Sequence, residues 1–167
     1  MEYKLRIMKI NIVTIIILIT GLLPLASHSQ AKSYTFEQLD SLQTIERRKV
    51  IVFIHTDWCR YCQAMKKTTF KAKEVVKMLD EHYWFIQLNA EEKRTIQFNG
   101  QVYNFKPTGN NIGIHGLAEQ LGSKDGKVSF PTVCIISPDY NVLIRYDQFI
   151  SAPNFLKLIK DINEFSR

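Results

Sequence analysis

The sequence predicts an α/β fold in which a central mixed β-sheet is covered by helices on both faces. Three observations carry that expectation. KVIVFIHT, from Lys49, is an almost unbroken β-branched and aromatic run, the pattern of a strand buried on both sides. Runs of this kind alternate with stretches whose apolar residues recur at helical spacing, the order expected of packed layers of strands and helices. Asn99-Gly100 stands between two alternating runs, the strongest short-range signal of a hairpin.

Taken in order, TFEQLDSLQTIERRK opens on a capping box, Thr35 and Gln38, ahead of Phe36, Leu39, Leu42 and Ile45 at helical spacing. The strand from Lys49 follows. Beyond Cys59 the spacing predicts one long helix with Met65, Thr69, Ala72, Val76 and Leu79 inward. Its lysines, Lys66, Lys67, Lys71, Lys73 and Lys77, are expected to face solvent for the most part. WFIQLNA predicts a second strand, TIQFNGQVYNF a hairpin, KPTGNNIGIHG a loop, and GLAEQLG a short helix ending at Gly122. FPTVCIIS and NVLIRYDQF predict two strands joined at Pro138-Asp139. Ser151 to Phe165 predicts a closing helix with Phe155, Leu158, Ile159 and Ile162 on one face.

The first residues read differently. A basic MEYKLRIMK precedes the apolar INIVTIIILITGLLPLA, and the small residues of SHSQA supply Ser27/Ser29 or Ser29/Ala31 at peptidase spacing. That three-part layout predicts a secretory signal over 1–29, cleaved near 29–31, and an exported chain, periplasmic or secreted. The rival reading is an uncleaved anchor, in which case the membrane is touched only through this segment. It is disfavoured because the run falls short of about 20 spanning residues and Gly21 and Pro24 interrupt its end. Cleavage leaves one domain over 32–167, long enough for a real core. Lys4, Arg6 and Lys9 against Glu2 account for part of the formal charge of +6, and the remainder is spread along the chain. No basic block marks a nucleic-acid footprint.

Three cysteines are too few, and odd in number, for a disulfide scaffold. Cys134, inside TVCIIS, is expected to be a small buried hydrophobe. Cys59 and Cys62 fall where the buried strand gives way to a helix. A helix N-terminus favours a thiolate, and Arg60 adds a full charge beside Cys59. Together they should lower the Cys59 thiol from about 8.5 into a range of roughly 3.5 to 7.5. Cys62, one turn further in, is placed to attack a mixed disulfide formed at Cys59. As a structural disulfide the pair would close too small a loop to restrict the unfolded chain much. A closed zinc site needs further ligands, and His55, His82, His115 and Cys134 stand at no familiar spacing. Paired exported thiols can also hold Cu(I), though no methionine or histidine cluster accompanies them.

WCRYC after a hydrophobic strand, followed by Phe130, Pro131 and Thr132 opening a later strand, resembles the thioredoxin superfamily. The likeness covers most of residues 34–165 and is greatest to exported thioredoxin-like proteins with a WCxxC-xx-M motif, here Trp58 through Met65. It implies a thioredoxin-like fold with a hairpin and loop insertion before the cis-proline strand. It also implies a thiol–disulfide oxidoreductase that reduces or exchanges disulfides in protein substrates. On this likeness Cys59 is the nucleophile and Cys62 the resolving thiol. Pro131 is cis and shapes the cleft, and the Phe130 backbone pairs with an extended substrate. Trp58, Arg60 and Tyr61 line that cleft. No organic cofactor or metal is implied, and electrons pass to or from a partner protein such as a membrane reductase.

Two departures stand out. Phe53 occupies the position, six residues before Cys59, where many thioredoxins carry a buried aspartate, so the resolving proton needs another route. The stretch Glu91 to Gly126 is longer than a minimal thioredoxin needs, and its hairpin and GNNIGIHG loop are expected to sit near the cleft and shape partner choice. The competing function is a binding module that holds an exported client or Cu(I) without redox turnover.

Overall fold

The structure is a computed structural model, and it describes residues 30–110 and 112–164. The signal segment expected over 1–29 lies outside the described residues. The first elements follow from local signals. Thr35 and Gln38 form the expected capping box over a 3-10 turn, Phe36–Gln38, which runs into α1, Leu39–Ile45. Phe36 and Leu39 are buried, but Ile45 is 79% exposed, because α1 ends there and the chain extends at Glu46.

β1, Lys49–His55, is central to a four-stranded sheet whose other members are β2, Tyr83–Asn89, β9, Thr132–Ile136, and β10, Val142–Tyr146. The order is β10-β9-β1-β2. β2 is parallel to β1, with Lys49 beside Tyr83 and His55 beside Asn89. β9 is antiparallel, with Val50 beside Ile136 and Ile54 beside Thr132. The sheet is therefore mixed, as expected. Tyr34 adds a single bridge beside Ile86 at the open edge.

Both faces of β1 are covered, which matches its apolar run from Val50 to Ile54. Ile51 and Phe53 pack with Met65, Phe70, Leu79, Phe155 and Ile159 from one side. Val50, Val52 and Ile54 pack with Leu39, Leu117 and Leu121 from the other. Each such side chain contributes about 1.5–3 kcal/mol of apolar transfer. The first side is roofed by α2, Arg60–Lys67, α3, Lys73–His82, and α5, Ala152–Glu164.

The single long helix expected after Cys59 is broken. The chain leaves α2 at Thr68 (φ −117°, ψ −68°), makes a 3-10 turn over Thr69–Lys71, and is extended at Ala72 before α3. Two successive β-branched threonines weaken helix there. Tertiary bonding does the rest: the Thr69 hydroxyl donates to the Ile150 carbonyl at 2.7 Å. The turn carries Phe70 into a cluster with Phe53, Phe85 and Phe155, at ring-centroid distances of 4.7, 5.0 and 5.5 Å.

The inserted stretch holds more structure than the sequence suggested. β3, Ile96–Phe98, and β4, Gln101–Tyr103, form the expected hairpin, with Asn99 and Gly100 both at positive φ. The segment expected to be a loop forms a second hairpin of β5, Phe105–Gly109, and β6, Ile112–His115. Pro107 and the glycines hid it, yet Gly113 is what permits it. A Cβ there would stand 2.3 Å from the Lys106 carbonyl oxygen and 2.5 Å from the Phe105 ring. Gly113→Ala is expected to cost about 1–3 kcal/mol locally, through overpacking. Faster amide exchange across Phe105–His115, with β1 and β9 unchanged, would show it.

α4, Gly116–Gly122, follows, and β7, Ser123–Lys124, pairs with β8, Lys127–Val128, about Asp125-Gly126. That third hairpin was unexpected, although Asp-Gly is a hairpin signal in its own right. The first hairpin does not lie at the dithiol. Phe98 packs edge-on against Phe36 and against Tyr140, in the turn after Ile136. Ile136 pairs with the start of β1, whereas Cys59 follows its end. Among the described residues, no helix is long and apolar enough to cross a membrane.

Candidate active site

β1 delivers the chain to Thr56, and Cys59 then caps α2. Cys59 is extended (φ −74°, ψ 106°), and its Sγ accepts the Cys62 backbone N–H at 3.0 Å. The two cysteines are joined in a disulfide with Cα atoms 5.2 Å apart. Cys59 is 5% exposed and Cys62 is fully buried, so Cys59 is the more accessible residue of the pair. On reduction, the donated N–H and the aligned peptides of α2 favour a thiolate at Cys59 over a thiol. Arg60 opens the helix with its side chain exposed.

The Phe130–Pro131 peptide is cis. Since Thr132 pairs with Ile54, Pro131 falls opposite His55 at the end of β1 from which the dithiol loop departs. Phe130, half-buried, meets the edge of Trp58 at 6.0 Å between centroids. Trp58 is 67% exposed, and its indole N–H donates to Glu91 Oε1 at 3.1 Å. Tyr61, also 67% exposed, faces Phe149 at 6.3 Å. The structure thus gathers Cys59, Cys62, Trp58, Arg60, Tyr61, Phe130 and Pro131 at one end of the sheet. Two pairs of aromatic rings stand beside the disulfide.

A profile of the thioredoxin-like domain matches residues 36–163. The chain belongs to the thioredoxin-like family. No curated protein matches it. Among solved structures, a thioredoxin from Thermus thermophilus has 18% identity and TM-score 0.57, over 80% of this chain and 88% of that one. A thioredoxin-fold protein from Helicobacter pylori has 16% identity and TM-score 0.56, over 83% and 80%. A DsbH oxidoreductase has 13% identity and TM-score 0.54, over 83% and 88%. At these identities the likeness is one of fold.

Within this thioredoxin-like domain, three residues at this end of the sheet escaped sequence reading. Glu91, first of the inserted stretch, anchors Trp58. Phe149 backs Tyr61. Lys66, taken for one of a solvated row, is half-buried, and its Nζ lies 3.2 Å from His55 Nδ1. The signal for Lys66 was its i+4 spacing from Cys62; the other two had none, being distant in sequence. His115, ahead of α4, caps it by accepting the Leu117 N–H at 3.2 Å, with its other ring nitrogen 3.1 Å from the Arg94 carbonyl oxygen. Cys134 is free and fully buried, its thiol pushed up to about 12 chiefly by burial. Among the described residues, no group of three or more His, Cys, Asp or Glu is placed to hold a metal ion.

His55 is expected to make the fold acid-sensitive. Burial first, then the Lys66 charge, holds it at about 4 rather than the ordinary 6.5. The unfolded chain therefore takes up this proton near pH 6.5, and the folded chain only near 4. Stability from this group is complete above the unfolded value and is lost as pH falls through the folded one, by on the order of 3 kcal/mol. Burial depresses His115 in the same direction. Urea unfolding across pH 4 to 8 is expected to show this slope, and His55→Asn to flatten but not remove it.

Proposed function

We propose that this chain is an exported thiol–disulfide oxidoreductase working on protein disulfides through the Cys59–Cys62 couple. The observation that carries the reading is the capping arrangement: Cys59, at the mouth of α2, accepts a backbone N–H from the very residue that would resolve its mixed disulfide. In the forward direction the Cys59 thiolate attacks a substrate disulfide, and Cys62 then displaces the substrate from Cys59. In reverse, the oxidised couple accepts a substrate thiol. Pro131 and the Phe130 backbone shape the cleft, and Trp58 and Tyr61 provide apolar surface for the segments flanking a client cysteine. Electrons come from, or go to, a partner protein.

Membership of the thioredoxin-like family and the fold shared with a DsbH oxidoreductase support the chemistry. Export rests on the three-part N-terminal segment. The test is equilibration of the mature domain in glutathione buffers, together with turnover of a small disulfide substrate. Couples of this fold span about −270 to −120 mV, roughly 7 kcal/mol for two electrons, and the value found sets the direction. A value at the negative end makes the protein a reductase that needs a donor. One at the positive end makes it an oxidant or isomerase. A couple that does not titrate, with no turnover, overturns the reading in favour of a binding module.

A further inference from the structure

The exchange chemistry proposed above leaves one step without an obvious helper. Cys62 is fully buried and must lose its proton before it can attack Cys59 Sγ. The sheet face beneath it carries Phe53, buried and without a polar atom, stacked on the His55 ring at 5.4 Å between centroids. What the same helix carries instead is a cation. Lys66 is four residues beyond Cys62 on α2, so the two side chains share a helix face with Cβ atoms about 5–6 Å apart. A long helical side chain also leans back toward the N-terminus, over the turn that precedes it, and here that turn holds Cys62. Its Nζ lies 3.2 Å from His55 Nδ1, which fixes the side chain at this end of β1.

We infer that Lys66, anchored by His55, is a positioning residue for resolution: its ammonium group sits over the turn carrying Cys62 and stabilises the Cys62 thiolate. Two nitrogens at hydrogen-bond distance require one donor and one acceptor. The buried His55, held neutral down to about pH 4, is the acceptor. The Lys66 charge acts on His55, and Asp57, whose carboxylate is 4.0 Å from His55 Nδ1, acts on both; burial holds Lys66 below the ordinary lysine value and Asp57 opposes that. Asp57 is exposed and shared with the Asn89 amide at 3.2 Å, so solvent screens it more than it screens half-buried Lys66.

The step balances without an outside oxidant. The Cys62 thiol gives its proton to water, and the thiolate attacks Cys59 Sγ. The Cys59–Cys62 bond forms as the Cys59–substrate bond breaks. The substrate sulfur leaves with the electron pair and takes a proton from water.

The inference rests on the oxidoreductase reading, and the test separates the two. Reduced protein is mixed with the chromogenic disulfide DTNB. One thionitrobenzoate is released when Cys59 attacks, and a second when Cys62 displaces the one bound to Cys59. Cys134 is buried and does not compete. The rate of the second release is followed against pH. Lys66→Met, which keeps the aliphatic stem, is expected to move the midpoint up by about 1–2 pH units and slow the release at pH 7 by about 10–100-fold. Lys66→Arg, which keeps the charge, is expected to stay close to wild type. An unchanged midpoint in Lys66→Met overturns the inference, as does equal slowing in Lys66→Met and Lys66→Arg, because charge would then not be the agent. A wild type that gives the first release and never the second overturns the oxidoreductase reading itself.

Discussion

Cys59→Ser is expected to remove disulfide turnover, by roughly 10³-fold or more, while leaving the fold intact. The hydroxyl that replaces the thiol does not ionise near neutral pH, so the N–H donated to Cys59 Sγ has no thiolate to stabilise. The expected outcome for Cys62→Ser is different in kind. Cys59 can still attack, but the mixed disulfide cannot be resolved, so the protein accumulates joined to its client. Mass spectrometry of such adducts, cleaved by reductant and mapped to Cys59, checks both the order of attack and the identity of the clients. The exposure of the two residues favours that order: Cys59 is 5% exposed and Cys62 is fully buried. Adducts formed through Cys62 in a Cys59→Ser background would overturn the assignment.

The largest effect on stability is expected at Phe70. Its ring touches Phe53 of β1, Phe85 of β2 and Phe155 of α5, and thereby ties the central strand β1 and the edge strand β2 to the helical roof. Phe70→Ala would remove that ring and leave a cavity among groups already packed by the rest of the fold. The expected cost is about 3–5 kcal/mol, or a fall in Tm of roughly 10–20 °C. Urea denaturation measures it directly. Tyr61→Ala is the control: an equally large ring is lost, but from an exposed position, and the expected change is within about 0.5 kcal/mol. Should Phe70→Ala prove as mild as Tyr61→Ala, the aromatic cluster is not what holds the roof to the sheet.

Much of the fold was legible because its signals are local. The capping box at Thr35 and Gln38, the doubly buried run at Lys49–His55 and the Asn99-Gly100 turn each depend on residues within a few positions of one another. The dithiol was legible for the same reason. Strand, turn, Cys59, helix and Cys62 follow each other without interruption, so sequence order alone sets the couple at a helix N-terminus. The errors arose where a distant group outvoted local pattern. Periodicity over Met65 to Leu79 is continuous, yet the helix breaks because Thr69 binds the Ile150 carbonyl and Phe70 is drawn between strands and α5. The β5–β6 hairpin was missed because Pro107 and three glycines in eleven residues read as loop, whereas what decides there is the room Gly113 leaves for Phe105.

By itself, then, the sequence determined the layered α/β class, both faces of β1 and the placement of the Cys59–Cys62 pair at the mouth of a helix, since each follows from adjacent residues and the period of their side chains. Tertiary structure alone decided which groups surround that pair. Glu91 on Trp58, Phe149 beside Tyr61 and Lys66 against His55 are meetings between separate elements. They arise when β1, α2 and the segments that follow β2 and β10 converge on one end of the sheet. No local propensity encodes such a meeting, because its energy comes from desolvation and contact that exist only once the elements are packed.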